Sequence, residues 1–269
     1  MIDISVVIPT FRRNALLLEA INSVLRQADV SVEIIVVDDC PDLSARDAVA
    51  TVRDDRVHYF PNEKPSGGKP ALVRNFGANK ATGRHIHFLD DDDRVAENYY
   101  RDAVAEFNAH PRCGVVFGQI QPFSEPHSTT LGDEQKFFTT AARRTRFLSS
   151  FGSRRVMTAA LLFLPTQLVN SACVIRREHV QTLGGYDAKI LLNEDVDFYC
   201  RAIRAFGCRF LDQVVVHYRI LPDSLMHGRT GNEKLIHSYR RMYERYRETH
   251  GAFEWLALKI FARTVMRIV

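Results

Sequence analysis

Over the first ~120 residues, short apolar runs alternate with stretches of helical periodicity, and this alternation constrains the fold more than any other feature of the chain. Segments 4–9, 32–37, 57–60, 86–89 and 115–120 are short, mostly rich in Val and Ile, and read as strands. Between the first two, Leu17, Ile21, Val24 and Leu25 recur at helical spacing, with Asn14 placed to cap the helix. Residues 96–109 read as a further helix, stopped before Pro111. Strand, helix and strand in this order make βαβ units, so the spacing predicts an α/β fold with a Rossmann-like, mostly parallel sheet flanked by helices. Residues 122–170 follow a different pattern, with basic clusters at Arg143-Arg144-Thr145-Arg146 and Arg154-Arg155 and several Phe, and are expected to form a partly helical excursion. The sheet then resumes in segments 172–175 and 209–216, which bracket a helix starting near Glu194 and ending before Gly207. With no internal repeat and no low-complexity linker, the expected partition is one large domain over residues 1–231 and a helical C-terminal tail over 232–269.

The segment Phe88-Leu89-Asp90-Asp91-Asp92-Asp93 places adjacent carboxylates directly after a strand. At neutral pH such groups repel one another, so the run either holds a hard divalent cation through oxygen or lies in open water. Its place at the C-terminal end of a strand in an α/β sheet, where such folds bind ligands, favours the cation. Mn²⁺ or Mg²⁺ is the expected ion, because no thiolate or imidazole cage accompanies the acids. Cys40, Cys113, Cys173, Cys200 and Cys208 form an odd set without CxxC spacing, which argues against a disulfide framework or a zinc site and suits a reducing cytosol. A net charge of +4 from well-spread basic residues gives no signal for nucleic acid. Met1-Ile2-Asp3 leads straight into a strand without an export signal. No run reaches the ~18 apolar residues of a spanning helix.

Four segments fall at strand ends: Val7-Ile8-Pro9-Thr10-Phe11, Val37-Asp38-Asp39, Gly67-Gly68-Lys69 with Arg74-Asn75, and the acid run. A fifth, Asn193-Glu194-Asp195-Val196-Asp197-Phe198-Tyr199-Cys200-Arg201, follows the turn Gly184-Gly185-Tyr186-Asp187. In order and spacing these segments resemble a family 2 glycosyltransferase of the GT-A fold, over about residues 3–220. The resemblance implies a nucleoside-diphosphate sugar lying across the C-terminal edge of the sheet. Pro9, Thr10 and Phe11 then contact the nucleotide, Asp39 accepts from a ring N–H of a pyrimidine, and Lys69 lies near the base or the phosphates. Arg74 either touches the ligand or braces the acids. Asp91 is assigned to the ribose, Asp92 to the metal, and Asp90 to the metal or its immediate support, although consecutive Asp residues admit more than one alignment. Asp195 is the expected general base, with Glu194 its rival, and inversion at the anomeric carbon is the expected outcome. Asp197 and Arg201, at i and i+4, fit a structural ion pair. The chain departs from the pattern after its last core strand, where relatives carry a His and this sequence has Leu221. His227 or His217 is the expected substitute as a metal or phosphate contact.

The expected activity is thus inverting transfer of a sugar from a UDP- or dTDP-sugar to a hydroxyl of a glycan or lipid-linked acceptor, in cell-surface polysaccharide synthesis. A sugar-nucleotide nucleotidyltransferase would need a Gly-rich phosphate loop that Pro9-Thr10-Phe11-Arg12-Arg13 lacks. A glycoside hydrolase has no use for a nucleotide pocket. A catalytically inactive nucleotide- or glycan-binding protein would not need Asp195. Residues 255–269 are apolar except for a stripe of Lys259, Arg263 and Arg267. This segment is expected either to lie on a membrane surface with Trp255 at headgroup level, or to dock on the catalytic domain or on a second subunit of a homodimer. The expected location is the cytoplasm, peripherally on the inner face of the plasma membrane in the first case.

Overall fold

A computed structural model of the protein describes residues 1–124, 131–165, 168–221 and 231–265. Its strands are β1 (Ile4–Thr10), β2 (Val32–Asp38), β3 (Val57–Pro61), β4 (His85–Phe88), β5 (Arg94–Val95), β6 (Val115–Phe123), β7 (Cys173–Arg176) and β8 (Cys208–Arg219). The helices are α1 (Asn14–Leu25), α2 (Arg46–Ala50), α3 (Pro70–Ala78), α4 (Tyr99–Ala109), α5 (Leu131–Ser149), α6 (Arg154–Phe163), α7 (Arg177–Thr182), α8 (Glu194–Phe206), α9 (Gly231–His250) and α10 (Ala252–Val265). All strands join one sheet in the order β3-β2-β1-β4-β7-β6-β8-β5.

The first four strands run parallel, as the βαβ pattern requires. β1 and β2 read as unbroken apolar runs because both faces of the sheet are covered. Val7, Ile35 and Val37 enter one core cluster, while Ile4, Val6, Ile8, Val32, Ile34 and Val36 enter the other. α1 seals the second face with Leu17, Ala20, Ile21 and Val24, and α3 covers the first with Ala71 and Val73. α3 packs closely on β1 because Gly77 has no side chain; a Cβ there would overlap Val7 Cγ1. The far half of the sheet is mixed. β7 runs antiparallel to both β4 and β6, β8 runs parallel to β6, and the two-residue β5 pairs antiparallel to β8. The chain leaves β1 toward β2 on one side and returns to β4 on the other, which opens a crevice at the C-terminal ends of β1 and β4.

Two local expectations need correction. Asn14 is the first residue of α1, and Arg13 takes the capping position without a side-chain cap. The Asn14 amide instead donates to Ser44 O at 2.8 Å. The helix expected from residue 96 begins at Tyr99, because Arg94 and Val95 are drawn into β5 and Asn98 turns the chain in the left-handed region.

Residues 122–170 supply α5 and α6, and the tail packs onto the same body. Met242 and Tyr246 of α9 and Leu258 and Ala262 of α10 share a core cluster with Val7 and Phe198. Arg241 and Arg245 of α9 pair with Asp187, and Arg245 also pairs with Asp197 at 2.8 Å. Trp255 lies against Phe163 and Tyr243, with the Lys259 ammonium over its ring. Its indole is therefore taken up by packing against α6 and α9, and is not the outermost apolar group of α10. Phe253, Leu256 and Ile260 hold that position, exposed at 87%, 49% and 56%. Among the described residues, no helix is long and apolar enough to cross a membrane.

Candidate active site

Each strand end contributes one part of the crevice. At the end of β2, Asp38 is buried and accepts from the Cys40 and Ala45 amides and the Tyr59 hydroxyl, so it builds the turn. Asp39 accepts from Asn62 Nδ2 at 2.7 Å, Ser66 N at 2.8 Å and Ser66 Oγ at 2.5 Å. Its carboxylate anchors the loop that carries Gly67, Gly68 and Lys69, whose ammonium-bearing side chain is exposed. Both glycines have positive φ, which brings the chain round to Pro70 at the start of α3. At the end of β1, Thr10 Oγ1 donates to Asp91 Oδ2 at 2.8 Å, and Phe11 is exposed beside it.

The acid run after β4 is held on three sides. Arg13 Nη1 lies 2.6 Å from Asp92 Oδ2 and 3.2 Å from Asp91 Oδ1. Arg219, at the end of β8, gives its backbone N–H to Asp93 and its Nε–H to the Asp92 carbonyl. Ser171 Oγ accepts from the Asp90 amide. Arg74 is almost fully buried, with one guanidinium nitrogen 2.6 Å from Asp90 and another 2.6 Å from Glu194, and it lies over the Tyr186 ring. It adopts the bracing geometry and joins the acid run to the N-terminus of α8. Asn75 and the Gly184-Gly185-Tyr186 turn hold α3 to the turn before α8: Asn75 Nδ2 donates to Tyr186 O, and Tyr186 N donates to Asn75 Oδ1.

Asp195 lacks an ion-pair partner of its own among the described residues, while its neighbour Glu194 is engaged by Arg74. Burial and then the Glu194 charge push its carboxyl up to about 7. Burial, followed by the charges of Asp90 and Asp91, likewise lifts Asp92 to about 7. Asp91 and Asp93 are raised by burial as well, Asp93 well above the carboxylate range. Asp197 pairs with Arg201 at 2.9 Å, and Arg201 ties back to the Leu183 and Gly185 carbonyls, a structural set.

The residues present fit a hard divalent ion. Arg13 takes only Oδ2 of Asp92 and Arg74 takes only Oδ1 of Asp90, so each carboxylate keeps an oxygen outside those pairs. Among the described residues no three acids, His or Cys form a self-sufficient cage, so an ion on Asp92 and Asp90 would complete its shell with phosphate and water. His217 sits opposite Arg94 in the β5–β8 ladder, its pKa lowered by burial and by Arg94, and among the described residues it makes no hydrogen bond or ion pair with the acids. His227 lies outside the described residues. Sequence reasoning missed Arg13, Ser171 and Arg219. The basic pair directly after β1 was a readable signal for the first, whereas nothing local marks the others.

The family described as "Glycosyl transferase family 2" matches residues 5–163, and "Glycosyl transferase family group 2" matches residues 85–259. WcaA of Escherichia coli K12, a glycosyl transferase assigned to colanic acid biosynthesis, is 38% identical over 215 residues, covering 76% of this chain and 67% of its own. The GalNAc(5)-diNAcBac-PP-undecaprenol beta-1,3-glucosyltransferase of Campylobacter jejuni is 39% identical over 97 residues, which cover 35% of this chain and only 31% of that protein. The crystal structure of S. aureus TarS 1-349 superposes with a TM-score of 0.69 at 18% identity, over 97% of this chain and 71% of the other, a likeness of fold. TarS has also been solved in complex with UDP and with UDP-GlcNAc. A family match across more than half of the chain, joined to a relative 38% identical across three quarters of it, settles the lineage: the chain belongs to glycosyltransferase family 2.

Proposed function

We propose that the protein is an inverting, divalent-metal-dependent glycosyltransferase that uses a UDP- or dTDP-sugar and glycosylates a glycan or lipid-linked acceptor in cell-surface polysaccharide synthesis. The observation that carries this reading is the Arg74 bridge from Asp90 of the acid run to Glu194 at the start of α8, which sets the neighbouring Asp195, left without an ion pair among the described residues and raised by burial, beside the strand-end crevice. Asp195 takes the proton of the acceptor hydroxyl as that oxygen bonds to the anomeric carbon. The carbon–oxygen bond to the diphosphate breaks with its electron pair, and the nucleoside diphosphate leaves; one displacement inverts the centre. Glu194, tied up by Arg74, orients the helix end instead of taking the proton. Asp92, with Asp90, would hold the ion, which when bound supplies positive charge to the departing diphosphate. Thr10 fixes Asp91 toward the ribose, and the Asp39-anchored loop shapes the base pocket.

Support for a uridine donor comes from the TarS complexes, and support for polysaccharide synthesis from the names of the Escherichia and Campylobacter relatives. The outward stripe Phe253, Leu256 and Ile260, with Arg263 beside it, suits peripheral contact with an anionic leaflet. The homodimer is the competing use of that face. Calorimetric titration with UDP, dTDP, GDP and CDP, each with and without Mn²⁺, tests the core of the proposal. Metal-dependent binding of one pyrimidine diphosphate is expected; a folded protein that binds none would overturn it.

A further inference from the structure

Of the guanidinium groups that meet the acid run, Arg74 and Arg13 are of unlike standing. Arg74 is 6% exposed, grips two carboxylates through separate nitrogens and has the Tyr186 ring against it. Arg13 is 39% exposed and reaches Asp91 and Asp92 through the single nitrogen Nη1. It extends from the cap of α1, directly after Arg12 in the left-handed region.

We propose that Arg13 is a resident counter-ion of the acid run that competes with a divalent cation for Asp92, so that binding of the ion draws the guanidinium away from that carboxylate. The inference rests on the metal-dependent reading above. A hard ion binds carboxylate oxygen at about 2.0–2.6 Å. The guanidinium nitrogen already lies 2.6 Å from Asp92 Oδ2, so an ion on the other oxygen of that carboxylate would stand close to a positive charge, and the two repel. A side chain this exposed is rehydrated at little cost once released, whereas Arg74, only 6% exposed, would leave its carboxylates at a far higher cost. Binding of the ion alone therefore works against Arg13. A diphosphate entering with the ion offers the freed guanidinium a new partner, which makes metal and nucleotide binding mutually reinforcing.

The test is titration of free Mn²⁺, followed by its electron paramagnetic resonance signal, against wild type, Arg13→Gln and Arg13→Lys without nucleotide at pH 8, repeated with UDP. Thermal unfolding confirms that each variant is folded. Arg13→Gln is expected to bind Mn²⁺ roughly tenfold tighter than wild type. Arg13→Lys should stay near wild type, and UDP should enhance Mn²⁺ affinity less in Arg13→Gln than in wild type. A purely structural role for Arg13 would weaken Mn²⁺ binding in both variants. Failure of Arg13→Gln to gain affinity, or an equal gain in Arg13→Lys, overturns the proposal. UDP binding by wild type that ignores Mn²⁺ would instead overturn the metal-dependent reading itself.

Discussion

Replacing Arg74 with Ala removes the guanidinium that spans Asp90 and Glu194, each at 2.6 Å, and leaves two carboxylates facing each other beside Asp195. Breaking a buried pair by deleting one partner costs about 3–5 kcal/mol. Asp90 is 32% exposed and Glu194 13%, so water takes back part of the charge and the low end of that range, about 3 kcal/mol, applies. With an unfolding entropy of about 2.1 cal/mol/K per residue, a chain of 269 residues unfolds with about 0.56 kcal/mol/K, and the variant should melt about 5 °C below wild type. Differential scanning calorimetry at low protein concentration reads this directly. The triple variant Arg74→Met, Asp90→Asn, Glu194→Gln, which carries no stranded charge, should recover at least half of the loss. An Arg74→Ala protein melting within about 1 °C of wild type would refute the reasoning, because the carboxylates would then have no need of their counter-ion.

Four further outcomes are expected. Asp195→Asn should lower kcat by about 10²–10⁴ while leaving UDP affinity intact, and the wild-type rate should fall about tenfold per pH unit below about pH 7, a limb the variant lacks. Because the folded-state pKa of Asp195 lies above its ordinary 3.8, ionising it opposes folding. Wild type should thus lose stability relative to Asp195→Asn as pH rises from about 4 to 7, so that the variant melts higher at pH 8 and equally near pH 4. Gly77→Ala should destabilise by about 1–3 kcal/mol through overlap with Val7, although helix propensity alone favours Ala by about 1 kcal/mol; a raised Tm would show that α3 yields freely. The variant Phe253→Ser, Leu256→Ser, Ile260→Ser should keep its Tm and lose co-sedimentation with phosphatidylglycerol vesicles, whereas unchanged sedimentation would remove α10 from membrane contact.

What could be read in the sequence follows from what is local. β1 and β2 were legible because burial on both faces makes nearly every residue apolar, and the turn residues after them marked the crevice. β5 has only two residues, too few for any period, and it moved the start of α4 from residue 96 to Tyr99. The reversed direction of β7 is set by the path through α5 and α6, not by the Cys173–Arg176 run itself. The acids announced themselves by mutual repulsion. Their counter-ions did not, since Arg219 lies 127 positions from Asp92 and looks locally like any strand-end arginine.

Those counter-ions also explain how so acidic a crevice folds and what it selects. Arg74, itself buried, offsets the inner charges by bridging Asp90 and Glu194. Arg219 secures the backbone of the run, and the Asp93 carboxyl it caps is pushed so far up that burial, not ionisation, sets its state. Arg13 covers the outer edge with a single nitrogen. Burial, and then the charges of Asp90 and Asp91, hold the Asp92 carboxyl up at about 7 even with Arg13 in place, so the run still carries more acid than its guanidinium partners offset. A bare diphosphate entering there would add negative charge to an unneutralised site, and Coulomb repulsion would oppose it. The same diphosphate carrying a divalent ion supplies the missing charge. On the proposed metal-dependent reading, donor and ion are therefore recognised together, and Asp195, beside the Glu194 that Arg74 engages, serves the acceptor.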